Sequence, residues 1–250
     1  MHTLASEAII MRAKEFGESD LLVTFFTPGR GRLKGVAKGA RRSRRRFVNS
    51  LDIFSLVRLE YAPRGKGDLF FIHSGKLIES FPGIRTNFST LSSASYMAEL
   101  TEILFPWELP DPLIFEALKK SFHMLAAGKR ADLAAIVFEI MAMSRGGYAI
   151  NLEKCCVCGR KYSGEGTAAF RPKNGGIACI KCQNITANTP LLSPATAHII
   201  SRIQSGSMEE IEENPAMEGM IGELDSVLRL HREYHLGQRP RTANYLKGSC

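Results

Sequence analysis

The sequence predicts a multidomain α+β protein: a small N-terminal β-barrel followed by an α-helical domain that carries an inserted cysteine-rich module. Five apolar or β-branched runs fill the first 80 residues, helical periodicity replaces them after Phe81-Pro82, and a segment rich in Gly and Cys interrupts the helices. At 250 residues the chain has room for two or three modest units. We assign residues 1–80 to the barrel, 81–153 and 190–250 to the two parts of the helical domain, and 154–189 to the module.

The barrel is predicted from five strand-like runs with no helical period between them. These runs read EAIIMRA, LLVTFFT, RLKGVAK, DIFSLVRLEY and DLFFIHSGKLI, and turn-forming clusters such as TPGRG and APRGKGD separate them. The OB-fold is the five-stranded barrel that commonly holds nucleic acid. An SH3-like barrel would produce a similar pattern, so the runs alone leave both types open.

The helices are predicted from apolar residues at helical spacing and from capping residues at their ends. Asp111-Pro112 offers an N-cap and a first-turn proline, Ser193-Pro194 opens a later helix, and Gly146-Gly147 ends the one that begins near Asp132. Three stripes are expected to face the core: Leu113, Leu118, Phe122 and Leu125 in one helix, Leu133, Ile136, Val137, Ile140 and Met141 in the next, and Met217, Met220, Ile221, Leu224, Leu228, His231 and Tyr234 in the last.

The module contains two C-x-x-C pairs with 20 residues between them. Two intervening residues allow both sulfurs of one knuckle to bind the same metal, and a hairpin of this length can bring the second pair to the other side. We therefore expect one structural Zn²⁺ on Cys155, Cys158, Cys179 and Cys182. Disulfides and unrelated buried thiols are the alternatives, and Cys156 and Cys250 are expected to take no part.

No sequence pattern supports an enzyme. The chain lacks the Walker-type G-x-x-x-x-G-K-[ST] and the G-x-S-x-G motif, and in HREYH, Arg232 stands where a metalloprotease would need Glu. The carboxylates between Glu209 and Asp225 fit a solvated helix face better than a two-metal nuclease site. The N-terminus lacks a signal-peptide pattern and no apolar run approaches the roughly 20 residues of a membrane span, so a soluble cytoplasmic protein is expected.

The formal charge of +8 is concentrated in one segment, because removing its nine cations leaves −1 for the rest of the chain. This basic segment, residues 30–46, lies inside a stretch from Asp20 to Asp52 with no intervening carboxylate. Its candidate nucleic-acid-binding residues are Arg30, Arg32, Lys34, Lys38, Arg41, Arg42, Arg44, Arg45 and Arg46. The first four occupy even positions, which predicts one face of a strand. The remainder, ARRSRRRF, reads as a flexible loop.

A dense row of cations next to a barrel suits a phosphate backbone, since each neutralised phosphate releases counterions. Nothing in the basic segment resembles a base-reading helix, so recognition of a specific sequence is not expected. A merely solvated run of charge is the alternative. A membrane partner is not expected, because no amphipathic apolar face accompanies the charges.

Three stretches resemble the RecO family of bacterial DNA recombination and repair proteins. They are GESDLLVTFFTPGRGRLKGVAKGARR near the start, the cysteine module with NLEKCCVCG and FRPKNGGIACIKC, and YHLGQRPRTANYL near the end. Together they span nearly the whole chain in the family's order. In the last stretch the family usually shows a lysine–serine pair where this chain has Arg241-Thr242.

The resemblance implies an N-terminal OB-fold, a helical domain and a zinc module in a non-enzymatic recombination mediator of the RecF-type pathway. Such a mediator binds single- and double-stranded DNA, anneals complementary strands, and helps to load recombinase on strands coated by single-stranded DNA-binding protein. The implied partners are RecR and the acidic C-terminal tail of that coating protein, in the bacterial cytoplasm at the nucleoid. For the pocket that takes the tail, we suggest Lys119, Lys120, Lys129 and Arg130.

Two other functions remain open at this point. An RNA-binding or transcription accessory protein would also combine an OB barrel with structural zinc, and competition between DNA and RNA at equal salt would separate the two. A nuclease that the motifs do not reveal would be detected by incubating labelled DNA with Mg²⁺ or Mn²⁺.

Overall fold

The computed structural model describes residues 3–65, 67–186, 189–206, 217–237 and 239–246. The chain forms two compact units, Met1–Lys129 and Arg130–Cys250. Among the described residues, no helix combines the length and the apolar character needed to cross a membrane. The division into four sequence segments stays a prediction, and the contacts group the first two helices with the barrel.

The first unit is built on a closed five-stranded barrel, which confirms the predicted OB-type fold. Its strands are β1 (Leu4–Phe16), β2 (Asp20–Thr27), β3 (Gly31–Ala37), β4 (Leu56–Pro63) and β5 (Leu69–Glu79). They close in the order β1-β2-β3-β5-β4, with β3 and β5 parallel and the other pairs antiparallel. Because side chains alternate along each strand, one set fills the barrel and the other faces out.

The barrel core is aromatic and β-branched. Tyr61 packs edge-on against Phe25 and Phe70, with ring centroids 5.3 and 5.5 Å apart. Two helices follow, α1 (Phe88–Leu104) and α2 (Pro112–Ala126), after a 3₁₀ turn at Pro82–Arg85. The predicted N-cap of α2 is confirmed, because the carboxylate of Asp111 accepts from the Ile114 N–H at 3.1 Å.

The described part of the second unit combines three helices with a small antiparallel sheet. Helix α3 (Ala131–Met143) runs into a π-helical turn at Ser144–Tyr148, in which Gly147 adopts φ 92°. The sheet, in the order β7-β6-β8, consists of β6 (Ala168–Arg171), β7 (Gly176–Cys179) and β8 (Leu191–Leu192). Helices α4 (Pro194–Gln204) and α5 (Met217–Leu236) follow, and a 3₁₀ turn spans Arg241–Tyr245.

Polar side chains tie α5 to the rest of the second unit. Arg232 donates from Nη1 to the Glu139 carboxylate of α3 at 2.6 Å, and both side chains are almost fully buried. Next to it in the sequence, the buried His231 ring donates from Nε2 to the Tyr148 carbonyl at 2.7 Å. This ring also packs edge-on against Phe170 of β6.

Two residues that the periodicity placed in the core are exposed. Leu113 of α2 is 57% exposed and Tyr234 of α5 is 51% exposed, so both predictions are wrong. In α2 the buried stripe contains Ile114 instead, and in α5 the buried positions include Val227 and Arg232. The other predicted stripe residues of α2, Leu118, Phe122 and Leu125, are buried as expected.

Candidate nucleic-acid interface and metal centre

Strand β3 places the first cations of the basic segment on the outside of the barrel. Leu33 and Ala37 belong to the barrel core, so the residues that alternate with them, Lys34 and Val36, lie on the outer face. Arg30 and Lys38 are exposed immediately before and after the strand.

Arg32 shares this outer face but is buried. Its Nη1 donates to the Glu102 carbonyl of α1 at 2.7 Å, and its guanidinium lies 4.0 Å from the centre of the Trp107 ring. Burial lowers the pKa of this guanidinium. Arg32 therefore holds the first helix and the loop after it against the barrel, and we leave it out of the candidate interface.

The loop after β3, which the sequence predicted to be flexible, is anchored to the barrel at both ends. Ala40 and Phe47, at its two ends, are buried in the barrel core. The Arg46 carbonyl accepts from the Gly75 N–H of β5 at 2.8 Å, and Arg46 Nη2 donates to the Lys38 carbonyl at 2.8 Å. The loop's ends are thus fixed and its middle is held out in solvent.

The arginines of this loop divide into anchored and free side chains. Arg41 pairs at 3.0 Å with Glu15, near the end of β1, and donates to the Glu18 carbonyl of the β1–β2 turn. By contrast, three exposed side chains form no ion pair within the described part of the chain: Arg42, Arg44 and Arg45. The free cations are the ones available to an anionic ligand.

An apolar row crosses the outer face beside these cations. The strand register aligns Leu22 of β2, Val36 of β3 and Phe71 of β5, and we call these three residues the apolar row. Phe71 is half-buried, and two cations approach its ring: Lys38 Nζ lies 5.3 Å and Arg64 Cζ 5.2 Å from the ring centre. The outer face thus combines an accessible aromatic ring with flanking positive charge.

The four predicted metal ligands form one cluster in the second unit. The Sγ atoms of Cys155, Cys158, Cys179 and Cys182 all lie within 4.8 Å of one another. Zinc–sulfur bonds of about 2.3 Å place the corners of a tetrahedron about 3.8 Å apart, and the Cys158 and Cys179 sulfurs are 3.9 Å apart. The tetrad can therefore hold a tetrahedral metal ion, and none of its four cysteines forms a disulfide in this structure.

Backbone N–H groups favour the thiolate form of Cys155. Cys155 Sγ accepts from the N–H groups of Val157 and Cys179 at 3.5 and 3.3 Å. Burial works to raise the pKa of the Cys155 thiol, but backbone hydrogen bonds outweigh it and lower the pKa to about 6. The Cys182 thiol acts as donor toward Cys179 and Cys158, and these hydrogen bonds raise its pKa to about 12. Cys156 lies outside the tetrad, as expected.

Two of the cations suggested for the acidic-tail pocket form ion pairs within the protein. Lys119 contacts Glu7 at 3.5 Å and Glu116 at 3.4 Å, while Arg130 pairs with Asp132 at 2.7 Å. As candidates for an acidic-tail pocket these cations already have acidic neighbours, and the assignment stays a prediction. Cys250 and the acidic residues 209–213 lie outside the described residues.

Sequence reasoning missed Phe71 and Arg64 as members of the outer face. The adjacent pair Phe70-Phe71 signalled that one ring faces in and the other out, but not which one. Phe70 packs in the core, so Phe71 is the outward ring. Arg64 lies in the β4–β5 loop, outside the stretch of concentrated charge, and only folding brings it beside Lys38.

Comparisons with known proteins agree with this arrangement. Residues 1–81 match the family model described as Recombination protein O N terminal, and residues 85–243 match Recombination protein O C terminal. The DNA repair protein RecO of Anaeromyxobacter sp. strain K is 32% identical over 95% of this chain and 93% of its own length. The protein of the same name from Syntrophobacter fumaroxidans is 38% identical over 72% and 71%. That from Desulfatibacillum aliphaticivorans is 30% identical over 99% and 97%. The chain therefore belongs to the RecO family of DNA repair and recombination proteins.

Proposed function

We propose that this protein is a recombination mediator that holds single- and double-stranded DNA by phosphate contacts at the basic segment. The observation that carries the proposal is the set of exposed cations at β3 and in the loop after it. Within the described part of the chain, Arg42, Arg44 and Arg45 form no ion pair. Cations that lack acidic neighbours repel one another until an anion neutralises them.

We also propose that the protein anneals complementary strands and helps to load recombinase on strands coated by single-stranded DNA-binding protein. Backbone contacts that ignore base sequence leave the bases of a bound strand available for pairing. RecR and the acidic tail of the coating protein are the proposed partners, with the family relationship as their support. We assign no catalytic residue, so strand annealing should need no ATP and should leave the strands uncut.

For the tetrad we propose one Zn²⁺ with a structural role. Four thiolates complete a tetrahedral shell and leave no position for a reactive water, whereas catalytic zinc keeps one open. Cys155 and Cys158 precede the small sheet, and Cys179 ends β7, so a metal here would fasten the sheet to the first knuckle. Metal binding and the folding of the module should be coupled.

The salt dependence of DNA binding tests the phosphate contacts. We would measure affinity for labelled single strands and duplexes over a range of NaCl concentrations, comparing the wild type with Arg44→Ser/Arg45→Ser. Losing two phosphate contacts should reduce the slope of log K against log salt by up to about 1.4 on single strands and about 1.8 on duplex. The matched control, Arg58→Ser/Lys76→Ser, removes two exposed cations elsewhere on the barrel.

Equal slopes for the wild type and the Arg44→Ser/Arg45→Ser variant would show that these arginines are only solvated charge. Equal losses in both double variants would mean that net charge matters and position does not. RNA binding is the second candidate function, because an OB barrel also holds RNA. Competition by single-stranded RNA better than by DNA at equal salt would favour it.

A further inference from the structure

We propose that Phe71 is a base-stacking site through which the barrel binds an unpaired strand more tightly than a duplex. This inference rests on the proposed DNA binding and adds a determinant that distinguishes between the two forms of DNA. Duplex DNA keeps its base faces stacked on one another, so a ring on the protein can meet a base face only where the bases are unpaired.

The accessibility of the ring separates Phe71 from its aromatic neighbours. Phe25 and Phe26 are fully buried, and Phe70 is 5% exposed within the barrel core. Phe71 points outward and is half-buried. Phe16 is also exposed, but it lies at the end of β1, next to Glu15 and close to Glu18 in sequence, where a phosphate backbone would be repelled.

The surroundings of Phe71 suit both the base and the phosphate of a nucleotide. The apolar row continues from the ring across Val36, which is only 2% exposed, to Leu22. The cationic groups of Lys38 and Arg64 lie 5.3 and 5.2 Å from the ring centre. Both side chains are long and exposed, so each can move from the ring to a phosphate when a base takes its place.

A purely structural role for Phe71 leads to a different expectation. If the ring only covers Val36, then any apolar side chain of similar size would serve, and leucine would replace it with little effect on DNA binding. Stacking requires a flat π-face, which leucine lacks. Phe71→Leu therefore separates the two roles while it keeps an apolar residue in the row.

The test compares three ligands of equal length that differ in their bases. They are a labelled oligothymidylate of about 20 nucleotides, an abasic strand with the same phosphates, and a duplex. The wild type should bind the oligothymidylate about tenfold more tightly than the abasic strand, as expected from one stacking partner. Phe71→Leu should bind the oligothymidylate about tenfold more weakly than the wild type does and should bind the other two ligands equally well. The slope of log K against log salt should not change. Phe16→Leu is the matched control and should change nothing.

A spectroscopic readout detects stacking directly. The wild type contains one tryptophan, Trp107. In Phe71→Trp, the tryptophan fluorescence of the variant minus that of the wild type comes from position 71. The oligothymidylate should quench this added fluorescence, and the abasic strand should not.

The outcomes separate this inference from the proposed function. Equal losses of Phe71→Leu on all three ligands would overturn stacking and assign Phe71 a packing role. Equal wild-type affinities for the oligothymidylate and the abasic strand would also overturn stacking, while DNA binding by phosphate contacts would stand. A wild type that binds none of the ligands would overturn the proposed function itself.

Discussion

Acid should destabilise the second unit of the protein through His231. The ring is 1% exposed, and its Nε2 donates to the Tyr148 carbonyl while its buried Nδ1 has no hydrogen-bond partner among the described residues. A proton on Nδ1 would have no acceptor there, so burial favours the neutral ring. Burial lowers the pKa of His231 to about 4, and the neighbouring His235, whose ring centroid is 4.5 Å away, acts in the same direction. The unfolded chain would protonate this side chain near pH 6.5.

The sign and size of the effect follow from these two pKa values. Between pH 6.5 and 4 the unfolded state binds the proton and the folded state does not, so stability falls as the pH falls. Each pH unit costs up to about 1.4 kcal/mol, and the whole window costs about 3 kcal/mol. Above pH 6.5 neither state binds the proton, so His231 adds no pH dependence there.

Circular dichroism during urea unfolding provides the assay, because the helices of the second unit contribute to the signal. His231→Gln keeps an N–H donor for the Tyr148 carbonyl but cannot titrate, so its stability should fall less steeply between pH 6.5 and 4. His198→Gln, the same change at an exposed histidine of α4, should leave the pH dependence unchanged. Identical pH slopes for wild type and His231→Gln would refute the reasoning.

Two further predictions concern the metal site and the buried ion pair of the second unit. Purified protein should contain one zinc per chain; Cys158→Ser should lose it and expose the module to protease, whereas Cys156→Ser should keep it. Full zinc content in Cys158→Ser, measured by atomic emission, would contradict the tetrad assignment. Arg232→Met should destabilise the protein by about 3–5 kcal/mol because it removes the cation that pairs with the buried Glu139 carboxylate. Adding Glu139→Gln should recover much of that loss, and a strictly additive double variant would argue against the pair.

Local patterns in the sequence predicted most of the fold because local geometry decides it. Apolar and β-branched runs between turn-forming clusters predicted the barrel strands, and the Asp111-Pro112 cap predicted the start of α2. The cysteine cluster followed from two short spacings, since each C-x-x-C pair is itself a local chelating turn. In each case the deciding interactions lie within a few residues along the chain.

The incorrect burial predictions have two causes: the helical spacing of the apolar stripes was applied too loosely, and some side chains are buried by partners distant in sequence. Leu113 lies five positions before Leu118, an offset of about 140° around the helix axis, and this takes Leu113 off the buried stripe. Arg232 is buried because Glu139, 93 residues away in sequence, neutralises it, and no local pattern contains that partner. The same holds for Arg32, whose position in an alternating row is correct but whose outward face is covered by α1.

The outer face was only partly predictable for a similar reason. Charge density along the chain identified the basic segment, but Arg64 reaches Phe71 through barrel closure. Parallel pairing of β3 with β5 brings Val36 beside Phe71, although 34 residues separate them in sequence. A pairing of that kind depends on the whole barrel, and the sequence of either strand alone does not specify it.

The anchoring of this loop also affects how susceptible the chain is to proteolysis. Five arginines between positions 41 and 46 would make a disordered tail an immediate target for trypsin. Here Ala40 and Phe47 are fixed in the barrel core and Arg46 is bonded to β5, so the loop cannot extend into a protease cleft without withdrawing Phe47. Cleavage at these arginines therefore requires local opening of the barrel, and its rate measures how often that opening occurs.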